Sequence, residues 1–158
     1  MSKITNRSVG EPNVSTSILQ EIGYPYAAGL IDGEGCIGMY WNSVHKNYQL
    51  RITVEMTEKG GLDVLYNLFG GRWYYKSPNQ SQNLQGRYSW MVFNAEAEKA
   101  LQSLLPYLIV KKKHAAIALE ARWSGNVRFQ RLSRQEINKR ESVAKRIKNL
   151  NKRGYGSH

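Results

Sequence analysis

The sequence predicts an α+β fold in which a four-stranded antiparallel sheet carries helices on one face. Two pairs of strand-like segments, each joined by a polar loop, read as hairpins. Segments with helical apolar spacing flank them, giving the order helix, hairpin, helix, hairpin, helix, helix. The 158 residues, 41% apolar and 11% aromatic, suffice for one packed core.

The elements follow in order. Residues 1–23 are polar, with Ser, Asn, Thr and one Pro, and read as a loose arm. Tyr24-Pro25 opens the first helix, because Pro25 near the first turn loses an N–H that has no partner there. That helix runs to Asp32, and Gly33 and Gly35 stop it. Residues 36–41 and 48–56 form the first hairpin around the loop 42–47. In its second strand Leu50, Ile52, Val54 and Met56 point one way, and Gln49, Arg51, Thr53 and Glu55 the other. Gly60-Gly61 and Gly70-Gly71 bracket a short helix with Leu62, Leu65, Leu68 and Phe69 at helical spacing. Residues 72–76 pair with 87–93 across the polar loop 77–86, with Trp73, Tyr75, Tyr88, Trp90 and Val92 expected under the helices. Asn94 reads as the N-cap of a helix over 95–105. Pro106 punctuates, and 111–123 reads as a further helix. Ser133-Arg134-Gln135-Glu136 has the form of a capping box. It starts a basic helix to about Leu150 with a narrow apolar stripe at Ile137, Ala144 and Ile147. This divides the chain into an N-terminal arm (1–23), a core (24–123) and a basic C-terminal helical extension (124–158).

Composition narrows the function. A single cysteine, Cys36, excludes an intrachain disulfide framework and a thiolate zinc site. His45, His114 and His158 lack metal-ligand spacing. No run of ~18 apolar residues predicts a membrane span, and residues 1–17 lack the apolar region of a secretory signal. An intracellular location follows, in cytoplasm or nucleoid, or in an organelle matrix. The net charge is +11, with 23 basic and 12 acidic residues. Residues 1–79 carry 7 of each sign, so the whole excess lies in the second half; from Arg128 onward 10 basic residues face 2 acidic ones. A polyanion partner is the natural reading, nucleic acid first and an anionic membrane second. The aromatics alternate on strands and do not line one amphipathic helix, which argues against the membrane.

The segment Ala27-Ala28-Gly29-Leu30-Ile31-Asp32-Gly33-Glu34-Gly35 places two carboxylates at a helix C-terminus, where the macrodipole already presents negative charge. A cation would compensate them. Gly29 and Gly33, four apart, leave a smooth strip on which another backbone could pack. The residues alone leave open a C-capped helix with incidental acids.

This stretch resembles the signature of the LAGLIDADG homing endonucleases, with Ala27 for the leading Leu, Gly33 for Ala and Glu34 for the second Asp. The element order over about residues 24–123 also resembles that family's αββαββα core, whose curved sheet forms a DNA-facing saddle. The resemblance implies a DNA endonuclease using Mg²⁺, with Mn²⁺ able to substitute, and leaving a 5′ phosphate and short 3′ overhangs. It makes Glu34 the essential metal-binding carboxylate, with the Gly33 carbonyl as a further metal contact. Asp32 would shape the helix end. Lys111, after Pro106-Tyr107-Leu108-Ile109-Val110, matches the family's site lysine, and Glu58 a polar position that organises water. No basic residue matches an arginine that relatives carry after it; Lys59 is one substitute.

The chain carries one signature, where single-chain members resemble two fused copies. A homodimer paired through Ala27, Gly29 and Gly33 would supply two sites and a roughly palindromic double-stranded target. The sheet face away from the helices would present Tyr40, Asn42, Gln49, Arg51, Thr53 and Glu55 from the first hairpin. From the second come Arg72, Tyr74, Lys76, Arg87 and Ser89. Arg and Lys suit guanine, Gln and Asn adenine, and Glu the cytosine amino group. Seven strand residues span ~23 Å, about seven base pairs of groove. The basic last helix would hold phosphates. The alternative is a non-cleaving nucleic-acid binder of the same fold, an RNA-splicing maturase or a transcription regulator.

Overall fold

The computed structural model describes residues 16–123 and 132–153. The order is α1 (Thr16–Glu34), β1 (Gly35–Asn42), β2 (Asn47–Met56), α2 (Gly60–Phe69), β3 (Arg72–Lys76), a 3₁₀ turn (Gln80–Gln82), β4 (Arg87–Phe93), α3 (Asn94–Leu104), α4 (Lys112–Ala118) and α5 (Arg134–Arg153). The strands form one antiparallel sheet in the order β1-β2-β4-β3. The α+β architecture expected from the sequence is the one observed.

One continuous core lies between the sheet and the helices. Ile37, Leu50, Ile52, Val54, Trp90 and Val92 fill it from the strands. Ala27, Ala28 and Ile31 of α1 meet them, with Leu62 and Leu65 of α2, Leu101 and Leu104 of α3, and Val143 and Ile147 of α5. Alternation along β2 assigns these sides: Leu50, Ile52 and Val54 are buried, and Met56, next on the same side, is partly buried. Gly71 (φ 89°) turns the chain into β3, and its Cα side lies against the Met91 carbonyl and Val92, a space that a Cβ would fill. The Trp90 indole donates to the Gly70 carbonyl at 2.8 Å, so its polar atom is satisfied inside the core.

Four expectations need correction. The first helix begins at Thr16, not at Tyr24, and runs through Pro25. Proline forfeits one backbone bond and crowds the preceding turn, but Gly23 packs on Leu68 and Tyr24 stacks on Phe69 at 5.9 Å, so tertiary contacts hold the turn. Residues 1–15 of the expected arm lie outside the described residues. Asn94 does not cap its own helix: it turns left-handed (φ 45°), and its Oδ1 accepts from the Leu50 N–H at 3.2 Å. That bond extends the β2–β4 ladder one step past its last pair, Arg51 opposite Phe93. The helix expected over 111–123 is only Lys112–Ala118; it tightens into a turn that points the Trp123 N–H at Glu98 (3.3 Å). Trp73 and Tyr75 have the parity of the helix side yet are 42% and 51% exposed, because β3 is the edge strand and α2 touches it only lightly.

α5 is capped as its sequence proposes. Ser133 Oγ accepts from the Glu136 N–H at 3.2 Å, and Glu136 returns to the Ser133 N–H at 3.0 Å. Its stripe is Val143, Ala144 and Ile147. Arg140 is also buried; its guanidinium donates to the Arg122 carbonyl (2.8 Å) and lies over the Trp123 ring at 4.6 Å. Burial lowers its pKa, partly offset by the charges of Glu136 and Glu98. Among the described residues no helix is long and apolar enough to cross a membrane.

Candidate functional site

The last turns of α1 have two faces. Ala27, Ala28 and Ile31 are fully buried and anchor the helix. Ile22, Tyr26, Gly29 and Gly33, spaced four, three and four apart, form an exposed stripe. A Cβ built at Gly29 or Gly33 meets nothing within 4 Å, so neither glycine is required by contacts within the described chain. Ala27 therefore cannot serve as an interface residue: it is spent on the chain's own core. Tyr26 and Ile22 occupy the open face instead. The sequence reading missed Ile22 because it placed that residue in the arm.

Asp32 ties this helix end to the segment before α4. Its carboxylate accepts from the backbone N–H of Ile109 and of Lys111, both at 2.8 Å. Burial pushes the Asp32 carboxyl up, but backbone donors at Ile109, Lys111 and Val110, with the Lys111 charge, outweigh it and hold the group below its ordinary value. Lys111 Nζ in turn donates to the Asp32 carbonyl at 2.6 Å. The lysine is thus fixed by main chain and side chain at the turn that carries Gly33 and Glu34. The same clamp presents Ile109 and Val110, both largely exposed, next to the helix end.

Glu34 is the last residue of α1, exposed, and its carboxylate has no hydrogen-bond or salt-bridge partner among the described residues. A free carboxylate at a helix C-terminus is a hard, anionic donor that suits Mg²⁺ or Mn²⁺. Among the described residues no three His, Cys, Asp or Glu side chains converge. The fit is therefore that of a partial site, of the kind Mg²⁺ completes with water and phosphate oxygens. Glu58 is exposed in the link between β2 and α2. The register Gly35 opposite Val54 places that link at the end of the sheet where α1 stops. No hydrogen bond or ion pair joins Glu58 to Glu34 or Lys111. Lys59 leans over Trp73 at 4.4 Å and pairs with Asp63 at 3.2 Å.

The outer sheet face assembles as the alternation requires. Tyr40 lies opposite Gln49, and Thr53 opposite Met91. Glu55 lies opposite Ser89, Ser89 opposite Tyr74, and Arg87 opposite Lys76. Gly38, opposite Arg51, leaves room for the Tyr40 ring, over which the Arg51 guanidinium stacks at 3.4 Å from the centroid. Arg72 and Tyr74 are exposed on the edge strand. Three residues differ from expectation. Asn42 spends its side-chain oxygen on the Val44 and His45 N–H groups, at 3.0 and 2.9 Å. Ser89 is 1% exposed and in this conformation offers a duplex no surface. Glu55 is ion-paired with Lys76 and with Arg87 (Nε to Oε2 2.8 Å), so it is not a free acceptor. α5 docks on the helix-covered side of β1 and β2, and its cations do not line the outer face.

No family model matches the chain, nor does any curated protein. Solved structures do. An archaeal intron-encoded homing endonuclease, I-Vdi141I, complexed with DNA, superposes with a TM-score of 0.62 at 16% identity, over 82% of this chain and 84% of that one. The homing endonuclease I-CvuI in complex with its target, in the presence of Ca, gives 0.52 at 21% identity over 65% and 67%. The same enzyme with the I-CreI target and Mg gives 0.51 over 64% and 66%. At these identities the likeness shows the fold.

Proposed function

We propose that this chain, which has the fold of the LAGLIDADG homing endonucleases, is a metal-dependent, site-specific DNA endonuclease that works as a homodimer on a roughly palindromic site. The observation that carries the reading is the Asp32 clamp. It delivers Lys111 to the helix turn bearing a free Glu34, beside a stripe of small residues that the described chain leaves uncovered.

Glu34, with the Gly33 carbonyl, would hold Mg²⁺ or Mn²⁺. When bound, such an ion supplies a water of lowered pKa and neutralises charge on the phosphate. Lys111 adds a fixed positive charge to the same phosphate, and the Asp32 carboxylate keeps its backbone in place. Glu58 orients water at the sheet end. Two copies pair through Tyr26, Gly29 and Gly33, which brings both Glu34 carboxylates near the twofold axis. The outer face lies in the groove, with Tyr40, Gln49, Arg51, Thr53, Arg72, Tyr74, Lys76 and Arg87 toward the bases and backbone.

The test is a cleavage selection on a randomised palindromic library with Mg²⁺, run for wild type and Glu34→Gln. The expected result is a defined site cut on both strands by wild type only, with Glu34→Gln still binding it. Wild type that binds a defined site tightly but cuts it in neither Mg²⁺ nor Mn²⁺ overturns the nuclease in favour of a regulator or maturase.

A further inference from the structure

The outer face contains a charge cluster whose geometry changes what it can read. Glu55 on β2 faces Ser89 on β4, and one pair further along Arg87 faces Lys76 on β3. The Glu55 carboxylate spans the two cations: Oε1 accepts a hydrogen bond from Lys76 Nζ, and Oε2 lies 2.8 Å from Arg87 Nε as an ion pair. The three side chains are 36%, 36% and 32% exposed, so the cluster is half sunk in the sheet surface. Lys76 has a second support, its Nζ lying 5.5 Å from the Tyr74 ring centroid. Burial raises the Glu55 pKa, but the Lys76 hydrogen bond and charge, the Arg87 charge and Ser89 bring it below its ordinary value. The carboxylate is therefore ionised at neutral pH and the cluster keeps a net charge of +1.

Two consequences follow from bonding rules. A cytosine amino group is a donor, and to reach Glu55 it would have to displace or crowd two cationic donors. The Arg87 Nε atom is closed to solvent and lies 2.8 Å from Glu55 Oε2, an ion pair in which its N–H is not aimed at the oxygen and makes no hydrogen bond among the described residues. Its terminal Nη pair is left as the reading edge, which matches the O6 and N7 acceptors of guanine. We infer that Glu55 is a positioning residue that aims Arg87 at guanine, so that each half-site carries a G·C pair at this point with its guanine toward Arg87. The inference rests on the reading above, that the outer face docks on duplex DNA.

A binding selection on a randomised palindromic library, with the full chain and Ca²⁺ in place of Mg²⁺, tests it. Wild type, Glu55→Gln and Arg87→Ala are compared position by position. Wild type should prefer G over other bases at one position per half-site by about 5- to 150-fold, the range of one bidentate contact. Arg87→Ala should abolish that preference. Glu55→Gln should reduce it several-fold at the same position and leave the rest of the site unchanged, a pattern that a general loss of folding does not produce. The inference fails if Glu55→Gln instead erases a preference for C, or if the two variants act on different positions. It also fails if Glu55→Gln changes nothing. Wild type that selects no sequence at all removes both this inference and the docking on which it rests.

Discussion

At the residue scale the chemistry turns on pairs of groups that share one turn. Asp32 and Glu34 sit two apart on the same helix end, yet one is saturated with backbone donors and the other is free. In the function proposed above, Asp32 positions and Glu34 would ligate. Asp32→Asn keeps the shape but turns one acceptor into a donor facing N–H groups. Cleavage should fall about 10- to 100-fold while DNA binding holds, a loss on the scale of misplacing a charged group in the transition state. In a Lys111→Ala background the same change should add little, because both act through one lysine; single-turnover cleavage of the four combinations checks this. The pH dependence has a definite sign. The folded pKa of Asp32 lies below its ordinary 3.8, so its stabilising contribution is complete above that value and is lost as pH falls through the folded pKa. The melting temperature should therefore drop more steeply below pH 4 for wild type than for Asp32→Asn.

At the element scale the helices divide into those that build the core and those that leave a face open. α1 does both. Because a Cβ at Gly29 meets nothing within the described chain, Gly29→Leu should not harm the protomer, and a better helix former in that position adds up to roughly 1 kcal/mol. It should nonetheless stop two α1 helices from approaching. The expected result is an unchanged or higher melting temperature with loss of the dimer in sedimentation of the DNA-bound protein and loss of double-strand cleavage. A fully assembled variant would remove the pairing. α5 belongs with the core. Val143 and Ile147 are fully buried, and Arg140 locks onto Arg122 and Trp123. Truncation after Gly125 should therefore abolish cooperative unfolding in calorimetry, where a free phosphate-binding tail would merely flatten the salt dependence. Ile147→Ala should cost about 2–5 kcal/mol for the same reason.

At the scale of the whole molecule the sheet divides two functions. One side is covered by helices and supplies stability; the other offers aromatic and cationic side chains. The chain is strongly basic, and each phosphate neutralised adds roughly 0.9 to the magnitude of the log–log salt slope. Removing one outer-face cation, as in Arg72→Ala, should lower the slope by about one unit. Lys148→Ala, on the helix-covered side, should leave it unchanged. Fluorescence-based binding across a salt series separates the two.

Features that depend on local period and composition are legible in the amino-acid sequence. The alternation of β2 assigns both sheet faces, since side chains one residue apart must point oppositely. The capping box of α5 is a local bond between residues three apart, so it reads directly. The two carboxylates of the Ala27–Gly35 segment fall at the end of α1, as their place after its apolar residues predicts. Tertiary structure alone decided what depends on residues distant in the chain. Asp32 meets Ile109 and Lys111 across 77 and 79 positions, and no local pattern reveals that the first acid is a clamp. Ala27 is buried and Tyr26 exposed because the contacts of α1 with the sheet and with α2 and α3, all distant in sequence, choose the buried arc. Glu55 reads as a free acceptor on its own strand; the adjacent β4 and, beyond it, β3 bring Arg87 and Lys76 to it, and the ion pairs formed there leave it no longer free.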